Sequence, residues 1–237
     1  MNLLLLEASD FVDSAQNRVR LSGRRLDHIS SVIKGTVGTE LKVGLRNGSC
    51  GTGILTMISS ESADIDVTLD IPPPSPLPLT LVCALPRPKS FKKAVATATS
   101  LGIKEMIFIE SWRVEKSYWQ SPVLKPDAIE EQIVAGLEQA RDTVFPNVSF
   151  KRRFKPFAED ELPSICSTKK AFVAHPYDAS PCPFALQQNA VLVIGPEGGF
   201  IPYEIELLRN AGCLPVTIGE RILRVETAIA AFAARFW

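Results

Sequence analysis

No sign of charge dominates this chain: 26 lysines and arginines stand against 26 aspartates and glutamates. A globally basic footprint for nucleic acid is thereby excluded, and any such site has to be a local patch. The five cysteines (Cys50, Cys83, Cys166, Cys182 and Cys213) are odd in number, and none stands in C-x-x-C spacing. Neither a zinc site nor a dithiol redox site is expected from them, and they read as reduced thiols of a cytoplasmic protein. No apolar run approaches the roughly 20 residues that cross a bilayer. The opening NLLLLEAS is too short for a secretory signal and carries no basic leader. Internal repeats are absent, and the one low-complexity tract is a proline cluster.

An apolar fraction of 46% over 237 residues is enough to bury a real core. The clearest break is IPPPSPLP, whose prolines forbid a helix interior and a central strand alike. It predicts a stiff linker over 72–78, between a domain at 1–71 and another at 79–237. Before it, NRVRL, GTELKVGL, SCGTGILTMI and ADIDVTLDI read as strands. SGRRLDHISSVIK reads as a short helix, with Ser22 as cap and Leu26, Ile29 and Ile33 on one face. A small β-barrel fits this text. After the linker strands and helices alternate, from LTLVCAL and KSFKKAVATATSLG to LPVTIG and a closing helix in ETAIAAFAARFW. That rhythm predicts an α/β domain with a mostly parallel sheet under helices on both faces.

Ligands of open α/β sheets bind beyond the carboxyl ends of the strands. Three loops of the last third take that position: AHP after AFV, GPEGGF after VLVI, and GERILRVE after VTI. GPEGGF is neither a Walker loop nor G-x-G-x-x-G, and Glu197 would repel a phosphate. Bare amides and carbonyls beside a carboxylate suit a ligand carrying amine and hydroxyl groups. The plainer reading is a tight strand-to-helix turn whose glycines take positive φ. In the third loop Arg221 and Arg224 flank Ile222 and Leu223. There Thr227 caps a helix and Glu226 pairs with an arginine, or else an arginine points at a substrate.

LVIGPEGGF, followed about twenty residues on by IGERILRVETA, closely resembles the RsmE family, S-adenosylmethionine-dependent methyltransferases of the SPOUT class acting on N3 of a uridine in 16S ribosomal RNA. Upstream, FKKAVATATSLGIKEMIFIES and GLEQARD (with Glu138, Gln139 and Arg141) are similar to family segments, and DHISSVIKGTVGTELKV resembles its PUA-like N-terminal barrel. The resemblance implies a SPOUT-type parallel sheet closed by a C-terminal trefoil knot, a homodimer built around the knot, and a barrel that docks RNA. It implies a pocket for S-adenosylmethionine from Ala174, His175, Pro176, Ile194, Gly195, Pro196, Glu197, Gly198, Gly199, Ile218, Gly219, Ile222, Leu223 and Thr227. Two departures stand out. The family's leading arginine and aromatics are missing, there being no basic residue before Arg18, and its Leu-His-Pro is here Ala174-His175-Pro176.

The acceptor nitrogen must lose a proton, so a base or an anion-stabilising cation is needed. Arg224 is the candidate for the cation and Glu197 or Glu226 for the base, while Glu226 equally suits a helix-end carboxylate. His175 is expected to brace the pocket rather than act as base. RNA contacts are sought in Arg18, Arg20, Arg24 and Arg25, in Arg87, Lys89, Lys92 and Lys93, at Arg141, and in Lys151, Arg152, Arg153 and Lys155. Each cluster reads equally as a solvated face. Other readings are a SPOUT enzyme acting on another RNA such as tRNA, and a noncatalytic RNA-binding module.

Overall fold

A computed structural model describes every residue except Met1, Ser14, Gln16, Gln187 and Trp237. The last residue of the expected closing helix thus lies outside the described residues. The chain divides into two compact units, Met1–Ser75 with Leu137–Phe145, and Pro76–Gly136 with Pro146–Trp237. Residues 72–77 carry no regular structure.

In the first unit the strands are β1 (Leu4–Leu6), β2 (Arg18–Leu21), β3 (Glu40–Leu45), β4 (Cys50–Ile58) and β5 (Ala63–Ile71). They form one curled sheet in the order β1-β3-β4-β5-β2. Leu6, Leu21, Val43, Leu55 and Ile65 are fully or almost fully buried in its core, the alternation of a sheet with one wet face. β1 was not expected: its leucines do not alternate, and only its parallel pairing with β3 makes it a strand. Helix α1 (Gly23–Asp27) runs into a π-turn at His28–Ile33. The wider turn shifts the helical phase, so Leu26 and Ile29 are buried while Ile33 is 37% exposed. Ser22 holds the cap position with extended backbone but makes no side-chain cap bond.

The second unit runs β6 (Leu79–Ala84), α2 (Pro88–Ser100), β7 (Glu105–Ile109), α3 (Pro126–Ala140, whose last turn groups with the first unit), β8 (Asn147–Lys151), α4 (Phe154–Pro156), α5 (Leu162–Cys166), β9 (Lys170–Ala174), β10 (Ser180–Pro181), β11 (Ala190–Ile194), α6 (Pro202–Asn210), β12 (Leu214–Thr217) and α7 (Val225–Ala233). The seven strands form a parallel sheet in the order β10-β12-β9-β11-β6-β7-β8. All residues of β6 and β11 are buried, as strands covered on both faces must be. The helical stretch from Phe154 to Cys166 was not anticipated. A π-turn at Phe157–Glu161 joins its two short pieces and breaks the 3.6-residue period that would announce it. All five cysteines are free thiols. No helix among the described residues is long and apolar enough to cross a membrane.

Gly51 marks the tightest approach in the first sheet, for a Cβ built there would lie 1.8 Å from the Thr68 carbonyl oxygen on β5. Gly51→Ala is therefore expected to force the β4–β5 ladder apart and to cost about 1–3 kcal/mol of stability. Urea denaturation followed by circular dichroism would measure it.

Candidate active site

Parallel strands end on the same side of the sheet, so the loops after β9, β11 and β12 meet. Together they line a cavity of about 770 Å³ in the second unit. Its wall takes Ala174, His175 and Pro176 from the first loop, Ile194 through Phe200 from the second, and Ile218, Gly219, Arg221, Ile222 and Leu223 from the third. Thirteen of the residues proposed for the donor pocket thus lie on one wall. Thr227 is exposed and off it. Arg224 is also off the wall: it is exposed, and it holds the N-cap position of α7 that was considered for Thr227. Val225, Ala228 and Phe232 of α7 close one side.

The GPEGGF loop answers to its neighbours. The Gly199 amide donates to the Pro196 carbonyl at 2.8 Å, closing the turn. Gly199 takes φ +72° with open space where a Cβ would go, so backbone conformation rather than crowding requires glycine there. A Cβ on Gly195 would press to 3.1 Å from the Phe200 ring. Glu197 is exposed on the wall, and its Oε1 accepts the backbone N–H of Arg87 at 3.1 Å. Arg87 is the N-cap of α2, so this carboxylate sits at the positive end of a helix. Burial pushes the Cys83 thiol up, and the nearby Glu197 charge adds to the effect.

In the first loop the His175 amide donates to the Val216 carbonyl at 3.0 Å, and its Nδ1 lies 2.7 Å from the Tyr177 carbonyl. In the third, Thr217 Oγ1 bridges to Gly219 and so folds the loop back. Glu226 is mostly buried and ion-paired with Lys93 of α2 at 3.6 Å, while its Oε2 has no hydrogen-bond partner. It ties α7 to α2.

Sequence reasoning missed several wall residues, among them Arg113, Tyr177, Asp178, Glu206 and Arg209. It also missed Glu204, 3% exposed, which accepts the N–H of Trp112 at 2.7 Å and that of Ile201 at 3.0 Å. Glu204 falls at the third position of α6, where a carboxylate reaching back to the cap is a readable signal; its second bond, to a segment 92 residues earlier, is not. Arg113 donates to the Gly198 carbonyl and so bears on the same turn.

The proposed RNA-contact residues are dispersed. In the first unit Arg18 pairs with Asp66 at 2.6 Å, Arg20 with Asp64 at 2.7 Å, Arg24 with Glu138 at 2.9 Å, and Arg25 with Asp10 at 2.7 Å. That cluster is charge-matched and not a bare basic patch. Hydrogen bonds from Arg20 and Arg18 hold the Asp64 and Asp66 carboxyls below the usual carboxylate range. Arg141 is exposed at φ +56°. In the second unit Arg87 and Lys89 are exposed, Lys92 is half-buried, and Lys93 is the partner of Glu226. Lys151 pairs with Glu161 and Lys155 with Glu159, while Arg152 lies over the Trp119 ring. Among the described residues no cluster of three or more His, Cys, Asp or Glu side chains could hold a metal ion.

The sequence model of the RNA methyltransferase domain matches residues 73–237, well over half of the chain and the whole of the cavity wall. The chain belongs to the RNA methyltransferase domain family. It is 28% identical over 145 residues to the ribosomal RNA small subunit methyltransferase E 1 of Borreliella burgdorferi, a match spanning 60% of this chain and 59% of that protein. It is 26% identical over 239 residues to the ribosomal RNA small subunit methyltransferase E of Treponema pallidum, covering 99% and 90% of the two. Its fold is that of the Neisseria gonorrhoeae ribosomal RNA small subunit methyltransferase E crystallised with S-adenosyl methionine. The two superpose with a TM-score of 0.74 at 20% identity, over 99% of this chain and 95% of the other.

Glu204 gives this family member its own test. Glu204→Ala would strip two backbone donors of their acceptor and is expected to cost about 2 kcal/mol. Glu204→Gln keeps one acceptor oxygen but turns an amide donor toward the other backbone N–H, so it should lose at least half of that and less than Ala. Thermal unfolding of the two variants decides it; equal melting temperatures for Ala and wild type would exclude the clamp.

Proposed function

We propose that this chain methylates N3 of a uridine in 16S ribosomal RNA of the small subunit, with S-adenosylmethionine as donor. The convergence of three strand-end loops on one cavity, in a chain of the RNA methyltransferase family, carries the reading. The wall suits the donor's mixed chemistry. Gly195, Gly198, Gly199 and Gly219 would let the ribose and amino-acid ends approach the main chain with no side chain between. Ile194, Ile218, Ile222, Leu223 and Phe232 offer apolar surface for the adenine. When bound, S-adenosylmethionine supplies an already activated methyl group, so the protein has mainly to position the acceptor nitrogen against it.

The residues then divide the work. The Ala174-His175-Pro176 loop walls the donor site, with His175 held by local bonds rather than poised as a base. Arg224 steadies the negative charge that develops on the uracil when N3 gives up its proton. Of the two carboxylates, Glu197 is on the wall and exposed, whereas Glu226 is bound to Lys93 and suits a structural role. The chain's end is proposed to pass through a loop as a trefoil knot, and two copies to pair around it. The larger apolar side chains of α7 (Val225, Ile229 and Phe232) are buried within their own unit, so the partner would have to meet other residues. Residues 1–71 are proposed as the RNA-docking domain, 72–78 as linker and 79–237 as the methyltransferase domain. Action on ribosomal RNA implies the cytoplasm.

Purified protein incubated with methyl-labelled S-adenosylmethionine should label small ribosomal subunits and leave tRNA unlabelled; label confined to tRNA would favour the other RNA. Gly199→Val places a β-branched residue at φ +72° and is expected to weaken donor binding at least about tenfold by calorimetry, as a strained turn would. Arg224→Ala should leave donor affinity unchanged and lower kcat by roughly a hundredfold. Unchanged turnover would make Arg224 structural.

A further inference from the structure

Trp112 is 78% exposed, more than any other large apolar side chain among the described residues. It does not hang on a loose loop. Its N–H is bonded to the buried Glu204 at 2.7 Å, Ser111 before it is buried, and the Val114 amide closes a turn onto the Ser111 carbonyl at 3.0 Å. The next residue, Arg113, lines the cavity and donates to the carbonyl of Gly198. A fixed backbone thus presents an exposed indole on the residue next to one that lines the cavity. Solvation gives no reason to hold an indole there, whereas a flat aromatic partner does.

The geometry points to Trp112 as a stacking platform for a nucleobase of the RNA substrate, with Arg113 serving an adjacent phosphate. This rests on the RNA methyltransferase reading and adds a specificity element to it. An enzyme that draws one base out of its stack leaves the neighbouring base without a partner on one face. Trp112 is outside the wall of the cavity given to the methyl donor, which suits it to that neighbour better than to the base being methylated. Aromatic platforms beside arginines are the usual means of holding splayed single-stranded bases, and the cation beside the ring meets the phosphate that follows. The sequence around it, ESWRVEK, balances two basic residues with two acidic ones, so stacking rather than charge alone has to supply the hold.

The test compares wild type with W112A, W112F and W112L. Methylation of small ribosomal subunits gives KM and kcat, calorimetry gives the affinity for S-adenosylmethionine, and sedimentation gives the oligomeric state. W112A is expected to raise KM for RNA about tenfold, the scale of one lost stacked base. Its kcat should stay within about twofold of wild type and its donor affinity should not move. W112F should recover most of the loss and W112L should not. A KM for W112A equal to wild type overturns the platform, as does W112L recovering as well as W112F, which would mark a generic apolar contact. Dissociation of a W112A dimer would make the residue a subunit contact and overturn it too. These outcomes leave the methyltransferase reading standing; a wild-type protein that neither binds the donor nor methylates RNA removes both.

Discussion

The site depends on where one late strand is placed. β11 comes after most of the second unit has been laid down, yet it enters the middle of the sheet, between β6 and β9. Its five residues are buried and it bonds in register to both neighbours, with Ile194 opposite Cys83 on one side and Ala174 on the other. Because all three strands run parallel, their carboxyl ends are level, and the loops that follow have to share one space. A central parallel strand tolerates neither slippage nor a polar inward face. The GPEGGF turn is therefore held at a fixed height beside the His175 loop, whatever ligand it meets.

Two carboxylates then fix the rim. Glu197 reaches from that turn to the amide of Arg87 at the start of α2, and Glu204 reaches from α6 to the amide of Trp112 beyond β7. Each joins segments that are about ninety residues or more apart in sequence, the first contact exposed and the second partly buried. This bears on the chemistry. One oxygen of Glu197 is already committed to the Arg87 amide. Glu226 is bound in turn to Lys93. In the proposed reaction, easing N3 deprotonation would then fall to the arginines of the third loop.

Much of this was legible in the sequence. The apolar run into GPEGGF gave a strand and an exposed backbone, and Pro202 marked the start of α6 as found. The strand–helix alternation gave a parallel sheet, and parallel strands bring their end loops together. What was hidden depended on geometry that no short window contains. β1 is a strand only because β3 lies beside it. The π-turns at His28–Ile33 and Phe157–Glu161 break the 3.6-residue period on which a helix reading rests. Arg113 reaches the cavity from a segment 85 residues before Gly198, and Arg209 from the far end of α6. Thr227 was misplaced because α7 begins at Val225, so the cap falls on Arg224.

The arginines of the first unit show how a register changes the meaning of a charge. Arg18 and Arg20 on β2 sit directly opposite Asp66 and Asp64 on β5, so each pair is the cross-strand contact that stabilises a sheet. In sequence these partners are more than forty residues apart and the arginines read as a basic cluster. The pairing bears unequally on the RNA contacts proposed for them. Of the pairs made by Arg18, Arg20 and Arg24, only Arg18–Asp66 is exposed on both sides, so only there does exchanging the carboxylate for a phosphate cost little. Asp64 and Glu138 are buried and depend on Arg20 and Arg24 as partners. What the pairing does remove is net charge. A docking face whose arginines are already balanced attracts RNA weakly from a distance and releases few counterions on contact. Recognition through such a face has to come from fit and local hydrogen bonds, in keeping with a chain whose positive and negative charges are equal in number.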